Sequence, residues 1–440
     1  MSEHEIDPKR LRRWQGLTIT LMCTGYAGYY LCRSNFSVCL PQIINYLVAH
    51  GMSSEQARIR LGTVSSLGVL AYAGGKLLLG GSADFLGGRR NFLGGMIGAV
   101  ICTILFALGG GLPLFTLAWM GNRLLQSIGW AGMVKVTSKW FSYSTYGAVM
   151  GAISLSYLFG DAAARHFMSL LIGYGLDWRG VFGVAAGTLF VLFIVNVFLL
   201  KESRTEIGAA PPEVNPANLY RETNEASARA GLKQILAPLV ASPAFWLVSA
   251  LSLGCTLMRE TFNTWTPTFF NQAVGFSPAR SADLSALFPL FGGFSVILFG
   301  FLSDVLKQGG RAMIMFYGLL LTTAALLALA LIHPAASQVL AVALVTLVGF
   351  VMLGPYSYLG GAIALDLGGS AGSATASGII DGIGYLGGVL SGDMMARISV
   401  SYGWRGAFLV LAAVSAISSV ASALFFLNQR RSVPLRAAAN

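Results

Sequence analysis

The sequence predicts an all-α polytopic membrane protein with twelve transmembrane helices in two pseudo-symmetric six-helix bundles. Three observations support this fold class: a strongly apolar composition, apolar stretches of spanning length, and sequence elements that recur in each half. Of the 440 residues, 55% are apolar and only 11% are charged, and the mean hydropathy is +0.68. A soluble domain carries about 25% charged residues. Most of this surface is therefore expected to face lipid.

A spanning helix needs roughly 20 predominantly apolar residues. Twelve such stretches are predicted, at 16–36, 62–83, 92–112, 113–136, 146–172, 180–200, 244–270, 283–303, 312–333, 337–361, 374–396 and 404–427. One long polar segment, rich in proline and mixed charge, separates the first six from the last six. We therefore predict an N-terminal bundle over 1–200, a cytoplasmic linker over 201–243 and a C-terminal bundle over 244–440.

The net charge of +11 follows membrane topology. Basic residues are concentrated in the segments that share a side with the start of the chain, as the positive-inside rule requires of cytoplasmic segments. These residues are Lys9, Arg10, Arg12, Arg13, Arg89, Arg90, Lys135, Lys139, Lys201, Arg204, Lys307, Arg311, Arg430 and Arg431. Both termini are thus predicted to be cytoplasmic, and nucleic acid is not an expected partner. The Ala- and Gly-rich composition favours a bacterial inner membrane, and a monomer is expected.

Two sequence elements occur once in each half, at equivalent ends of spans. They are Gly80-x-x-x-Asp84 and Gly300-x-x-x-Asp304, each followed by basic residues, and the runs YGLDWRGVF (174–182) and YGWRGAF (402–408). The copies are 220 and 226 positions apart. Duplicated halves are typical of secondary transporters, in which the substrate site lies near the membrane midplane between the repeats.

Ionisable side chains inside the predicted spans are the candidate functional residues. Each costs about 2.5–3.5 kcal/mol on insertion scales, so each is a functional-site hypothesis by default. The set is Arg33, Lys76, Arg123, Asp161, Arg165, Arg259 and Asp381, with Glu260 beside Arg259. The five cysteines show no disulfide or metal spacing, and no cofactor is expected.

Arg33 shares one helix face with two tyrosines, Tyr26 and Tyr30, which precede it by seven and three positions. Arg259 lies at a similar depth in the first span of the second half. A guanidinium pairs bidentately with phosphate oxygens, so two such arginines predict an anion that carries a phosphate or phosphonate. The alternative is that each arginine pairs with a buried carboxylate and serves structure alone.

Several runs carry a family resemblance that extends over nearly the whole chain. They are GYAGYYLCRSNF (25–36), KLLLGGSADF (76–85), GWAGMVKVTSKWF (129–141), LMRETFNTWTPTFF (257–270) and GPYSYLGGAIALDL (354–367). They resemble the organophosphate:phosphate antiporter family of the major facilitator superfamily, which includes glycerol-3-phosphate and hexose-phosphate transporters. The resemblance implies the major facilitator fold and a rocker-switch exchange of an organic phosphate for inorganic phosphate, without ATP.

The resemblance also implies roles for individual residues. Arg33 and Arg259 match phosphate-binding arginines, Lys76 matches a cavity lysine, and Tyr26, Tyr30 and Tyr385 match cavity tyrosines. A second group matches gating or structural positions of the superfamily's loop and fourth-span motifs or their repeat: Asp84, Arg89, Arg90, Arg123, Asp304 and Arg311. Phe85 departs from that loop motif, where a basic residue is usual.

The fifth span departs from the family. Tyr157 stands where glycerol-3-phosphate transporters carry a histidine, and Asp161 follows on the same face. In the eleventh span Asp381 precedes Tyr385 by four positions, so both carboxylates are expected to face the cavity. Three interpretations remain open: internal pairing with Arg165 or Lys76, proton coupling, or recognition of an ammonium group on a zwitterionic phosphate or phosphonate.

The expected function is therefore secondary transport of a small organophosphate or phosphonate, with inorganic phosphate as the counter-substrate. The Gly75-Lys76 pair lacks the remaining residues of a P-loop, so another gradient must supply the energy. A proton-coupled anion symporter and a transporter-like sugar-phosphate sensor are the alternatives. An enzyme acting on lipid phosphates is disfavoured, because no metal-ligand cluster or nucleophile–base motif is visible.

Overall fold

The computed structural model describes residues 7–79, 82–213, 237, 239–306, 310–360 and 362–437. Within these ranges twelve long helices confirm the predicted number of spans. They are α1 (Pro8–Ala49), α2 (Ser54–Leu79), α3 (Gly88–Leu108), α4 (Leu112–Trp140), α5 (Tyr143–Gly173), α6 (Trp178–Leu199), α7 (Pro243–Phe269), α8 (Leu287–Val305), α9 (Gly310–Leu331), α10 (Gln338–Tyr356), α11 (Ala362–Leu390) and α12 (Gly403–Ala437).

Short elements join several of the long helices. They are the helices Ser82–Leu86, Pro278–Ser285 and Asp393–Ser401, the 3-10 turn Arg204–Ile207 and the π-helical turn Phe270–Val274. The predicted span 283–303 is divided between the helix Pro278–Ser285 and α8. Most of the predicted linker, residues 214–236, lies outside the described residues, as do Gly80 and the side chains of Asp84 and Asp304.

Seven described segments are apolar and long enough to cross a membrane by composition alone: Ser54–Leu79, Gly88–Leu108, Trp178–Leu199, Pro278–Ser303, Gly310–Leu331, Gln338–Tyr356 and Gly403–Asn428. The other five long helices, α1, α4, α5, α7 and α11, carry Arg33, Arg123, Asp161, Arg259 and Asp381 in turn. Polar residues that a helix turns away from lipid lower its mean hydropathy. Each of these five helices thus carries a predicted ionisable side chain, and Lys76 lies on α2, which is among the seven apolar segments.

The contacts divide the chain into two compact units. The first comprises Met1–Cys39 and Leu67–Arg229, and the second comprises Leu40–Ser66 and Ala230–Asn440. In the first unit α3 packs on α4 and α6, and in the second α9 packs on α10 and α12. The same pairwise packing thus occurs in both units, as duplicated motifs predict. The predicted domain limits around the linker stay a prediction.

The second unit also contains the first half of α2. Thr63 Oγ1 donates a hydrogen bond to Asp393 Oδ1 at 2.7 Å. A Cβ atom added to Gly62 would lie 2.8 Å from the carbonyl oxygen of Gly392, so these backbones touch with no room for a side chain. Segment 54–66 is therefore packed against the end of α11 and the helix that follows it.

The repeated Trp-Arg-Gly motif has a structural role in the first unit. Arg179 donates from Nε to the carbonyl of Ala107 at 3.0 Å and from Nη2 to that of Gly109 at 3.1 Å. Trp178 is buried and packs edge-on against Phe115. The motif thus satisfies carbonyl groups at the C-terminal end of α3, which have no partner within the helix.

Candidate functional site: two arginine-centred clusters

In the first unit, three cations surround the ring of Tyr72. The Arg33 and Arg123 guanidinium carbons lie 4.7 and 4.9 Å from the ring centroid, and Lys76 Nζ lies 5.4 Å from it. Tyr72 itself is only 3% exposed. A cation within about 6 Å of an aromatic ring is attracted by the ring quadrupole. The Tyr72 ring therefore holds three positive side chains of α1, α2 and α4 close together, and we call this group the first cluster.

The described partners of Arg33 are neutral. Its Nε donates to Gln126 Oε1 at 3.0 Å and its Nη1 donates to the Tyr30 hydroxyl at 3.3 Å. Gln126 is held in turn, because its Nε2 donates to Asn122 Oδ1 at 2.7 Å. Tyr26 lies beside Tyr30, with ring centroids 5.9 Å apart. Arg33 is thus fixed in place while keeping its full charge.

The first cluster has the chemistry of an oxyanion site. Hydrogen bonds between guanidinium or ammonium groups and phosphate oxygens are roughly twice as strong as neutral ones. In surroundings of low dielectric constant, preorganised cations attract an anion far more strongly than in water. The structure brings Arg33, Lys76, Tyr26 and Tyr30 together with Arg123, which the sequence assigned to a gating or structural motif, and their role in binding substrate stays a prediction.

In the second unit, Arg259 lies over the ring of Tyr356, with 4.8 Å between the guanidinium carbon and the ring centroid. Its Nη2 forms an ion pair with Glu260 Oε1 at 2.7 Å. The Glu260 residue is 8% exposed, so this pair is largely removed from solvent. Thr256 donates a hydrogen bond to the Tyr356 hydroxyl at 3.3 Å.

Asp381 and Tyr385 belong to the same neighbourhood. Both lie close enough to the Tyr356 hydroxyl to interact with it electrostatically. A Cβ atom added to Gly360 would lie 2.8 Å from Asp381 Oδ1, so the carboxylate rests against the backbone at that glycine. Arg259, Glu260, Tyr356, Asp381 and Tyr385 form what we call the second cluster, which contains both signs of charge.

Asp161 lies in a buried ion pair. Its Oδ1 is 2.9 Å from Arg165 Nε and also accepts a hydrogen bond from the Ser34 hydroxyl. Asp161 and Arg165 are 4% and 2% exposed. These contacts agree with internal pairing among the three interpretations that the sequence left open. A role of Asp161 in binding substrate stays a prediction.

The remaining predicted residues are Tyr157 and a group at or near helix ends, of which Asp84 and Asp304 have no described side chains. Tyr157 lies partly buried on α5. At the ends of helices, Arg89 donates from Nη2 to the carbonyl of Val197, and Arg311 pairs with Asp366 at 2.7 Å. Arg90 is exposed. The contacts of Arg89 and Arg311 join neighbouring segments, which fits the structural role that the resemblance implies.

Sequence reasoning missed Tyr72, Gln126 and Tyr356. Tyr72 could have been predicted, because this residue precedes Lys76 by four positions and must share its helix face. Gln126 and Tyr356 lie inside quoted or neighbouring motif runs but carry no charge. Neutral polar residues in a span attract less attention because burying them costs less than burying a charge.

A groove of about 700 Å³ in the second unit is not the candidate anion site. Its lining is almost entirely apolar and includes Leu284, Phe291, Val342 and Phe350. Within the described part of the chain, no group of three or more His, Cys, Asp or Glu side chains is arranged to hold a metal ion. The two arginine-centred clusters are therefore the places in the described structure suited to a phosphate group.

A family model described as Major Facilitator Superfamily matches residues 22–392. The chain is similar to a probable hexose phosphate transport protein of Chlamydia muridarum, with 26% identity over 97% of this chain and 93% of the relative. It is 26% identical to the glycerol-3-phosphate transporter of Bacillus subtilis, over 92% and 89% of the two chains. It is 27% identical to the membrane sensor protein UhpC of Salmonella typhimurium, over 95% and 92%.

Among solved structures, the chain resembles a bacterial homolog of the human lysosomal transporter Spinster. The TM-score is 0.70 at 16% identity, over 95% of this chain and 97% of that one. At this identity the likeness concerns the fold alone. It confirms the predicted architecture of twelve helices in two six-helix bundles.

Proposed function

Because the chain belongs to the major facilitator superfamily and is related to its organophosphate:phosphate antiporters, we propose that it exchanges a small organophosphate or phosphonate for inorganic phosphate. It is an integral membrane protein, and its relatives of this type are membrane transporters or sensors, not enzymes. We place it in a bacterial inner membrane with both termini in the cytoplasm. The observation that carries the proposal is the first cluster, with Arg33, Lys76 and Arg123 around Tyr72.

In this proposal Arg33 and Arg259 both bind the phosphoryl or phosphonyl group during the transport cycle. They are 226 positions apart, the same offset as the repeated Trp-Arg-Gly motif, and each lies over a tyrosine ring. Lys76 adds positive potential, and Tyr26, Tyr30, Tyr157 and Tyr385 are the proposed hydrogen-bond donors. Asp381 is proposed to affect which organic group is accepted, and the same role of Asp161, which pairs with Arg165, stays a prediction.

Exchange follows from the cost of moving empty cationic sites. A conformation that closes without an anion leaves Arg33 with neutral described partners in low dielectric, whereas Arg259 keeps the carboxylate of Glu260. An anion bound at Arg33 stabilises the closed state and lets the two halves change orientation. We therefore propose that inorganic phosphate serves as counter-substrate and that net movement follows its gradient.

Proteoliposomes test this function. Vesicles that contain the purified protein and unlabelled phosphate should take up external labelled phosphate, and external glycerol-3-phosphate, hexose phosphates or phosphonates should compete. Vesicles loaded with sulfate serve as the control for specificity. Uptake that needs no internal anion but responds to a pH gradient would instead support a proton-coupled symporter.

The relationship to UhpC favours a second candidate, a sensor of phosphorylated compounds. A sensor needs the anion-binding clusters as much as a transporter does, so the arginines do not discriminate. Ligand binding by the purified protein without any exchange in proteoliposomes would support the sensor. Substrate-dependent exchange would exclude that candidate as the sole function.

A further inference from the structure

The two arginines differ in their described partners, although they occupy equivalent positions of the repeat. Arg33 binds neutral groups, Gln126 and Tyr30. Arg259 binds the carboxylate of the next residue, Glu260, at 2.7 Å. Counted at the same offset of 226, the equivalent of Glu260 is Ser34, whose hydroxyl binds Asp161. The second cluster therefore carries a counter-ion of its arginine that the first cluster lacks at that position.

Glu260 and an incoming phosphoryl group need the same donor. Glu260 Oε1 accepts a hydrogen bond from Arg259 Nη2. Nη2 is one of the guanidinium nitrogens through which a phosphate group would bind bidentately. A phosphoryl group that binds both edges of the fork must displace this carboxylate. Because Glu260 is 92% buried, the displaced charge cannot simply return to water, and an uncompensated buried charge costs several kcal/mol.

A ligand that brings its own cation removes this cost. We propose that Glu260 is a specificity-determining residue that selects phosphates or phosphonates bearing an ammonium group. Its carboxylate passes from Arg259 to the ligand's ammonium group as the phosphoryl group takes Arg259. The inference rests on the proposed function. It assigns recognition of the ligand's ammonium group to Glu260 instead of Asp161.

The repeat explains why Asp161 is less suited to this role. Asp161 and Asp381 are 220 positions apart, and at the same offset the equivalent of Arg165 is Tyr385. Asp161 is therefore paired with a cation on its own helix, whereas Asp381 has a tyrosine at the corresponding place. Asp381 lies near Tyr356, over which Arg259 stacks, so it adds negative potential to the second cluster. Glu260 and Asp381 thus place two carboxylates in the cluster that contains Arg259.

Binding of two matched ligands tests the proposal. 2-Aminoethylphosphonate and n-propylphosphonate have similar shapes and differ by an ammonium group in place of a methyl group. The purified full-length protein should bind the amine about tenfold more tightly, because hydrogen bonds between charged groups are stronger than those between neutral groups. Glu260→Gln should weaken binding of 2-aminoethylphosphonate about tenfold and strengthen that of n-propylphosphonate, so that the preference reverses or disappears.

Two control variants accompany this measurement. Glu260→Asp keeps the charge and should keep the preference for the amine, whereas Glu55→Gln removes an exposed carboxylate of α2 and should change neither affinity. An unchanged affinity ratio in Glu260→Gln, or equal affinities of the wild type for the two phosphonates, would overturn the proposal. Failure of the wild type to bind either phosphonate or inorganic phosphate would overturn the proposed function instead.

Discussion

Tyr72 organises the first cluster without carrying a charge. Three cations contact its ring, and each such contact contributes about 0.5–2 kcal/mol. We expect Tyr72→Leu to lower the affinity for inorganic phosphate about tenfold, because Arg33, Lys76 and Arg123 lose the surface that holds them together. Tyr72→Phe keeps the ring and should lose less. Isothermal titration of the purified variants measures both, and equal affinity of Tyr72→Leu and wild type would contradict this role.

The Asp161–Arg165 pair makes a prediction about stability. Asp161→Asn leaves Arg165 buried without its counter-ion, which costs about 3–5 kcal/mol. The unfolding temperature in detergent should therefore fall, and a double variant with Asp161→Leu and Arg165→Met should recover most of the loss. If Asp161→Asn instead kept the wild-type unfolding temperature and altered the choice among phosphonates, Asp161 would be a substrate ligand.

Single residues also mark how far the sequence could predict the site. Arg33 and Arg259 were predictable because charges in a span are costly and therefore conspicuous. The partner of Asp161 was not predictable, because Tyr157 and Arg165 both lie four positions from Asp161 on the same helix. Only side-chain packing decides between them. Glu260 was visible as a charge, but its contact with Arg259 depends on rotamers that the sequence does not specify.

At the scale of helices, hydropathy predicted the number of elements better than their ends. The first span was predicted over 16–36, whereas α1 runs over Pro8–Ala49 and contains 42 residues. Hydropathy reports contact with lipid, but a helix continues wherever its backbone hydrogen bonds continue. Its polar start at residues 8–15 and the interior Pro41 therefore did not end it.

Glu202 holds helix ends together in the first unit. It accepts hydrogen bonds from the backbone N–H groups of Gly88 and Arg89, at 2.9 and 2.7 Å, and pairs with Lys139 at 2.6 Å. A carboxylate at the N-terminus of α3 is also favoured by the helix dipole. Burial raises the pKa of Glu202, but these partners outweigh burial and hold it below the ordinary value of 4.5.

This arrangement predicts a pH-dependent stability. Since the pKa of Glu202 is lowered by folding, its stabilisation is present at neutral pH and is lost as the pH falls below 4.5 through the folded-state value. Glu202→Gln should lower stability at pH 7 by about 1 kcal/mol, as loss of a helix cap does. The difference in unfolding temperature between variant and wild type should shrink in acid. A difference in unfolding temperature that is the same at pH 7 and pH 3.5 would contradict this role of Glu202.

At the scale of the whole molecule, duplication accounts for most of what the sequence could predict. The repeated motifs indicated two equivalent halves, and both units show the same pairwise packing of helices. The sequence did not indicate that Leu40–Ser66 packs with the second unit, because this depends on contacts such as Thr63–Asp393 between residues 330 positions apart. Comparison of equivalent positions in the two halves also identified two informative differences. Ser34 stands where the second half has Glu260, and Arg165 stands where it has Tyr385.

Arg33 and Arg259 are proposed to bind the transported phosphate, and this role is central to the proposed function. It is tested most directly by phosphate–phosphate exchange in proteoliposomes of Arg33→Lys, Arg259→Lys and, as a matched control, Arg280→Lys, which changes an exposed arginine of the short helix Pro278–Ser285. Lysine keeps the charge but cannot bind phosphate bidentately. We expect exchange to fall at least about a hundredfold in the first two variants, the effect of a misplaced binding group, and to stay at the wild-type rate in the third. Wild-type exchange in both Arg33→Lys and Arg259→Lys would contradict the claim.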